Sequence, residues 1–237
     1  MKVPQSIPYI DEKEYESLKS CFIGSSWITE GPKSQEFVDK LCNMINVKYG
    51  VLAPNGTLAL YLAIKSLDLG DGDEIIVPNH TFIASATSVV MANCVPIFVD
   101  CGEDLQIDIE QCLRPGILSS RTKAILPVHL YGFAANMDKV LEFAKKYNLF
   151  VIEDCCQSLN VKYNNQHCGT FGNTAAFSFF ADKAITTAEG GMVVTNNEKI
   201  YNKLRYLRNQ GRLNRSTFVH PEIGYNFRMT DIQSSIG

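Results

Sequence analysis

The sequence predicts an α/β fold with a mostly parallel central sheet and helices on both faces. Short apolar runs such as Glu74–Val77, Val95–Val99 and Leu149–Glu153 alternate with segments of helical periodicity, the pattern of strands buried on both faces. No internal repeat, low-complexity stretch or linker divides the chain.

The elements follow in order. Residues 34–47 place Phe37, Leu41 and Ile45 at i, i+4 and i+8 on one helical face. Thr57–Leu67 reads as a helix closed by Gly70, Glu74–Val77 as a buried strand, Thr81–Asn93 as a helix and Val95–Val99 as a strand. Lys123–Val128 is predicted as a strand, Asn136–Tyr147 as a helix with Asn136 as N-cap, and Leu149–Glu153 as a strand. Ala175–Phe179 and Gly191–Thr195 read as strands, and Glu198–Arg208 as a helix. Thr230–Gly237 opens like a helix capped by Thr230 or Asp231, and so short a terminal helix is expected to be weakly held. Residues 1–33 read as a segment leading into one large domain, 34–237.

Composition narrows the function. The 237 residues are 46% hydrophobic and 20% charged, enough apolar material for a core, and disorder is excluded for most of the chain. Lys plus Arg is 22 and Asp plus Glu is 25, so a net charge of -3 gives no footprint for nucleic acid or an anionic membrane. The eight cysteines form no C-x-x-C pair, and buried free thiols in a reducing compartment are the expectation, not zinc or a disulfide framework. The start, MKVPQSIPYIDEKEYES, lacks the apolar core of a signal peptide. Residues 75–99 carry no Asp, Glu, Lys or Arg, but Pro78, Asn79, His80, Asn93 and Pro96 break the run, so it reads as buried soluble structure. A cytoplasmic protein with no membrane partner is expected.

Phosphate-loop, zinc-protease and nucleophile-elbow motifs are absent, and the four histidines do not fall at metal-ligand spacing. No metal is expected. The remaining candidates lie at strand ends, where open α/β sheets bind ligands. Pro54-Asn55-Gly56-Thr57 precedes a helix, so its amides and the Thr57 hydroxyl suit a phosphate; alone, the segment is as readily an Asn-Gly turn with Thr57 as N-cap. Asp154 stands at the end of an apolar strand with Gln157 beside it, and could equally be a loop cap. Lys183 sits between the strand ending in Ser178-Phe179 and the Gly190-Gly191 turn. Such a lysine is either a solvated loop residue or, when partly buried, a nucleophile able to form a Schiff base with a carbonyl. A phosphate cradle, an aspartate for a ring nitrogen and such a lysine together make up the protein's side of pyridoxal 5'-phosphate chemistry.

Asn55-Gly56-Thr57, residues 127–132 (PVHLYG), Glu153-Asp154, Gln157, Ser178-Phe179, Lys183, Glu189-Gly190-Gly191 and residues 224–229 (GYNFRM) occur in an order that resembles the DegT/DnrJ/EryC1/StrS nucleotide-sugar aminotransferases. The resemblance runs from Pro8 to Gly237, and within the family the chain looks most like the GDP-perosamine synthase group. It implies the large domain of a fold-type I pyridoxal-phosphate transferase. The implied activity is transfer of the amino group of L-glutamate to C4 of a nucleotide-linked 4-keto-6-deoxyhexose in surface glycan biosynthesis. Alternatives are C3 amination of a 3-keto sugar nucleotide, or a catalytically silent chain.

The resemblance also implies roles. Lys183 would bond the cofactor and shuttle the proton, Asp154 would pair with the pyridine nitrogen, and Gln157 would contact the phenolic oxygen. Phe82 would stack on the ring, while Gly56, Thr57 and Ser178 would hold the phosphate. Asn226 would reach the phosphate of a neighbouring subunit, making a homodimer with a shared site, and Arg228 would meet an acidic substrate group. Ala188 stands where the family often has glycine. Family members continue past the position of Gly237 into a smaller C-terminal domain, which is expected to be missing from this chain.

Overall fold

The computed structural model describes residues 7–23, 28–212, 214, 216 and 218–237; residues 1–6 and 24–27 of the leading segment lie outside the described residues. That segment contains a helix the sequence reading passed over, α1 (Glu12–Phe22), started by Asp11 and Glu14 in a reciprocal capping box. Next come α2 (Pro32–Ile45), with Pro32 in its first turn, and an unpredicted strand, β1 (Tyr49–Ala53). Then α3 (Gly56–Lys65), β2 (Glu74–Pro78), α4 (Ala84–Met91), β3 (Val95–Val99) and β4 (Thr122–Ile125) follow. After them come α5 (Met137–Tyr147) and β5 (Phe150–Asp154), with Asn136 capping α5 as expected. A small hairpin, β6 (Lys162–Tyr163) and β7 (Gln166–His167), precedes β8 (Thr174–Ser178), β9 (Gly191–Thr195), α6 (Glu198–Leu207) and α7 (Asp231–Ile236).

Seven strands form one sheet in the order β1-β9-β8-β5-β4-β2-β3. The pairs β2/β3, β2/β4, β4/β5 and β5/β8 are parallel, and only β9 runs against its neighbours β1 and β8. Strand side chains alternate between two cores, as the pleat requires. Val51, Ala53, Ile75, Val77, Ile152, Ala176 and Val193 pack with residues of α3, α4 and α6. Leu52, Ala175, Phe177, Met192 and Val194 pack with α2, and Ile76, Ile125 and Val151 with α5, on the other face. The expected layering is present.

Two predicted boundaries move by three residues, and the others by no more than two. The strand expected to reach Val128 ends at Ile125, because Pro127 has no N–H to donate; its carbonyl still accepts from Asp154 N at 2.9 Å, and Val128 forms only an isolated parallel bridge to Asp154. The helix expected from Thr81 begins at Ala84, and single turns (Ser85 N to Phe82 O, 3.1 Å; Ala86 N to Ile83 O, 3.0 Å) lead into it.

The expectation of a weakly held terminal helix also fails. Thr230 and Gln233 form a capping box on α7, and Asp231 is only 2% exposed. One Asp231 oxygen accepts from Gly31 N at 2.7 Å, Ser34 N at 3.2 Å and the Ser34 hydroxyl, and the other from Lys33 N at 3.1 Å, so α7 is locked onto the start of α2. Asp231→Ala would strand these buried donors and should lower unfolding stability by about 3 kcal/mol, read as a fall in urea midpoint without a change in slope.

Candidate active site

Strands β1, β5 and β8 point the same way, so their carboxyl ends meet at one edge of the sheet. Gly56, Asp154 and Ser178 emerge there. Asn55, not Thr57, is the N-cap of α3: its Oδ1 accepts from Leu58 N at 2.9 Å. The first amides of a helix have no partner within it, so Gly56 and Thr57 present N–H groups at the positive end of α3. Gly56 is required by close approach, since a Cβ there would lie 2.8 Å from Ser178 Cβ and 3.0 Å from Cys156 Sγ. Gly191, the first residue of β9, is required likewise: a Cβ would lie 2.4 Å from the Asn55 carbonyl oxygen. The cradle is therefore backbone on one side and the Ser178 side chain on the other.

Asp154 is 4% exposed. Its Oδ1 accepts from Cys156 N at 3.1 Å and its Oδ2 from the Ser85 hydroxyl at 2.6 Å. Gln157 Oε1 accepts from Tyr131 N at 3.1 Å, which leaves the amide NH₂ to donate elsewhere.

An open cavity of about 830 Å³ is lined by Tyr131, Cys156, Gln157, Ser178 and Lys183 among others. Lys183 lies in the loop between β8 and β9, which is closed at its base by Phe179 N to Gly190 O and Thr187 N to Phe179 O, both 2.9 Å. Its ammonium is 3.4 Å from Asp182, with the side chain 23% exposed. Ala188, in the same loop, has φ 64, the left-handed conformation that glycine takes without steric cost. Cys156 lies between the charged groups: burial first and then the Asp154 carboxylate push its thiol well above the ordinary range, while Lys183 pulls it down.

The other expected residues are not all gathered here. Phe82 is 67% exposed, in the turns before α4, three residues from Ser85. Asn226 is exposed, forms an isolated bridge with Asn209, and is not among the residues lining the cavity. Arg228 donates from Nη1 to Asn209 Oδ1 at 2.7 Å and is not in the lining either. The sequence reading missed Ser85, Thr81, Tyr131 and Cys156.

This fold brings a helix N-terminus, a buried carboxylate and a lysine to one sheet edge, the arrangement of the pyridoxal-phosphate-dependent transferase fold. The DegT/DnrJ/EryC1/StrS aminotransferase family matches residues 8–237, and the chain belongs to it. GDP-perosamine synthase of Escherichia coli O157:H7 is 42% identical over 240 residues, covering 99% of this chain and 64% of that protein. A UDP-N-acetyl-3-dehydro-alpha-D-glucosamine 3-aminotransferase of Acidithiobacillus ferrooxidans is 40% identical over 211 residues, covering 87% of this chain and 55% of that protein. Among solved structures, Spr1654 of Streptococcus pneumoniae in its PLP-form superposes with TM-score 0.91 at 28% identity, covering 100% of this chain and 65% of that chain. The chain thus spans less than two thirds of the length of these relatives. Pyridoxal phosphate is the family's cofactor, and the unpartnered amides at the start of α3, packed beside the Ser178 hydroxyl, are donors of the kind its phosphate needs. No helix among the described residues is long and apolar enough to cross a membrane.

Gly56→Ala should overpack the cradle by about 1–3 kcal/mol and weaken pyridoxal-phosphate binding at least about tenfold, measured by equilibrium dialysis of the whole protein.

Proposed function

We propose that the protein transfers the amino group of L-glutamate to C4 of a nucleotide-linked 4-keto-6-deoxyhexose, the perosamine or viosamine type of reaction, for surface glycan biosynthesis. The observation that carries this reading is the single cavity in which Lys183, Gln157 and Ser178 stand beside the Gly56 cradle. The choice of C4 rests on relatives named GDP-perosamine synthase, 36% to 42% identical to this chain.

Pyridoxal phosphate, when bound, carries the amino group between the two substrates and its protonated ring draws off the electron pair released at the reacting carbon. The residues of this chain do the rest. Lys183 Nζ tethers the cofactor between turnovers, takes the proton from the α-carbon of glutamate and returns one to the sugar carbon. Asp154 offers its carboxylate to the pyridine N–H. Gln157, its carbonyl already held by Tyr131 N, donates its NH₂ to the phenolic oxygen. The amides of Gly56 and Thr57 and the hydroxyls of Thr57 and Ser178 hold the phosphate at the helix end. Phe82 covers one face of the ring. Asn226, exposed and outside its own chain's cavity, suits a contact with the phosphate of a second subunit, so the working unit is a homodimer. Arg228 meets an acidic substrate group only if it extends beyond its bond to Asn209.

C3 amination of a 3-keto sugar nucleotide is the second reading, favoured by the 3-aminotransferase relative at 40% identity. A panel of 4-keto and 3-keto sugar nucleotides with glutamate separates the two, and no turnover with any of them would refute both. In the whole protein, pyridoxal phosphate should give a visible band that borohydride fixes onto Lys183, located by peptide mapping. Lys183→Ala should reduce turnover at least about a thousandfold; full activity in that variant would refute the assignment.

A further inference from the structure

We propose that Thr81 and Ser85 form a two-hydroxyl relay that holds the Asp154 carboxylate in one orientation and ties it to the segment carrying Phe82, which makes Ser85 a positioning residue for the cofactor. The inference rests on the reading of Asp154 given above.

Ser85 is fully buried on α4, whose other residues are small or apolar apart from Thr87 and Ser88. A buried hydroxyl costs free energy unless it is bonded, and alanine would suit the helix better. The Ser85 hydroxyl has its partners: Asp154 Oδ2 at 2.6 Å and Thr81 Oγ1 at 2.7 Å. A serine has one hydrogen to give. With that hydrogen on the carboxylate, Ser85 must accept from Thr81, so the relay runs Thr81 to Ser85 to Asp154. Each donation polarises the next, which strengthens the final bond to the carboxylate.

The two oxygens of Asp154 are held differently. Oδ1 bonds to Cys156 N, two residues away, an attachment that moves with the strand end itself. Oδ2 bonds to Ser85, 69 residues away on another element. Ser85 therefore fixes rotation of the carboxylate relative to the rest of the molecule. Its backbone N–H also donates to the Phe82 carbonyl at 3.1 Å. One residue thus joins the group proposed for the ring nitrogen, through its side chain, to the residue proposed for the ring face, through its main chain.

The test is a titration of the whole protein with pyridoxal phosphate, reading the dissociation constant and the position of the visible band. Ser85→Ala should raise the dissociation constant roughly tenfold, the size of one charge-assisted hydrogen bond, and shift the band. Ser85→Thr, which keeps the hydroxyl, should restore both. Thr81→Val should act in the same direction by roughly threefold, and should add nothing in the Ser85→Ala background because the relay is already cut. Wild-type affinity and band in Ser85→Ala, or additive effects of the two variants, would overturn the proposal. If Ser85→Ala does not fold, Thr81→Val decides: an unchanged constant and band overturns the relay. Asp154→Asn is titrated alongside. If that variant binds and absorbs as wild type, the reading of Asp154 has failed and the relay with it. If Asp154→Asn weakens binding while the Ser85 and Thr81 variants do not, the relay alone has failed.

Discussion

Glu153 sits one residue before the carboxyl end of β5 with no exposed surface, where an unpaired carboxylate would carry a desolvation cost of several kcal/mol. Its oxygens are fully engaged instead. Oε1 accepts from Phe171 N at 2.8 Å and Gly172 N at 2.7 Å, and Oε2 accepts from Gly169 N at 2.7 Å. The second bond to Oε2 comes from His129 Nε2 at 3.0 Å. Ala135 N donates to the other ring nitrogen at 3.1 Å, so that nitrogen supplies a lone pair and the ring proton sits on Nε2. Although His129, Glu153 and Cys155 lie close enough together to suggest a metal site, the imidazole and carboxylate lone pairs are already committed. The network is structural: it ties the 169–172 turn and the 129–135 segment to the end of β5.

That anchoring sets up the site on the opposite face of the strand. Alternation along β5 sends Ile152 into the core with α3 and α4, Glu153 to the other face, and Asp154 back toward α4, where Ser85 waits. A register slip of one residue would exchange the two carboxylates, placing Asp154 against the amides of the 169–172 turn and Glu153 against α4. Parallel pairing of β5 with β4 and β8 excludes that slip, because Ile125 and Ala176 are already matched to Val151 and Asp154. The fold therefore selects which of two adjacent acids faces the candidate site.

Much of this was legible in the sequence, and for a physical reason. Strands buried on both faces must be continuously apolar, so β2 and β9 stand out, and Asn136 announces α5 through its cap. β3 is equally apolar but lies at the sheet edge with Val95 and Phe98 exposed. Four features were hidden. β1 is five residues with a glycine at its second position, too weak a pattern without β9 beside it. α1 buries only Cys21 among its described residues, so its periodicity is faint. The reversal of β9 is a matter of direction, which side-chain pattern does not encode. The stability of α7 comes from Asp231 reaching residues about 200 positions earlier, a contact no local window contains. At the site, Asp154, Gln157, Ser178 and Lys183 could be picked out because polar residues directly after apolar strands are conspicuous. Ser85 could not, because its partner is distant in sequence.

The cavity also contains a competing nucleophile, and the electrostatics separate the two. Cys156 and Lys183 line the same space. A thiol attacks carbonyls as thiolate, and a cysteine becomes reactive in electropositive, partly exposed surroundings. Cys156 has the reverse: burial and the neighbouring Asp154 carboxylate hold the proton on sulfur, and the opposing pull of Lys183 is the smallest of the influences on it. The carboxylate that would stabilise a cationic ring thus also keeps the adjacent thiol protonated and a poor nucleophile. A neutral sulfur against the Gly56 cradle then serves as packing, closing the floor of the pocket without adding a charge that would repel a phosphate.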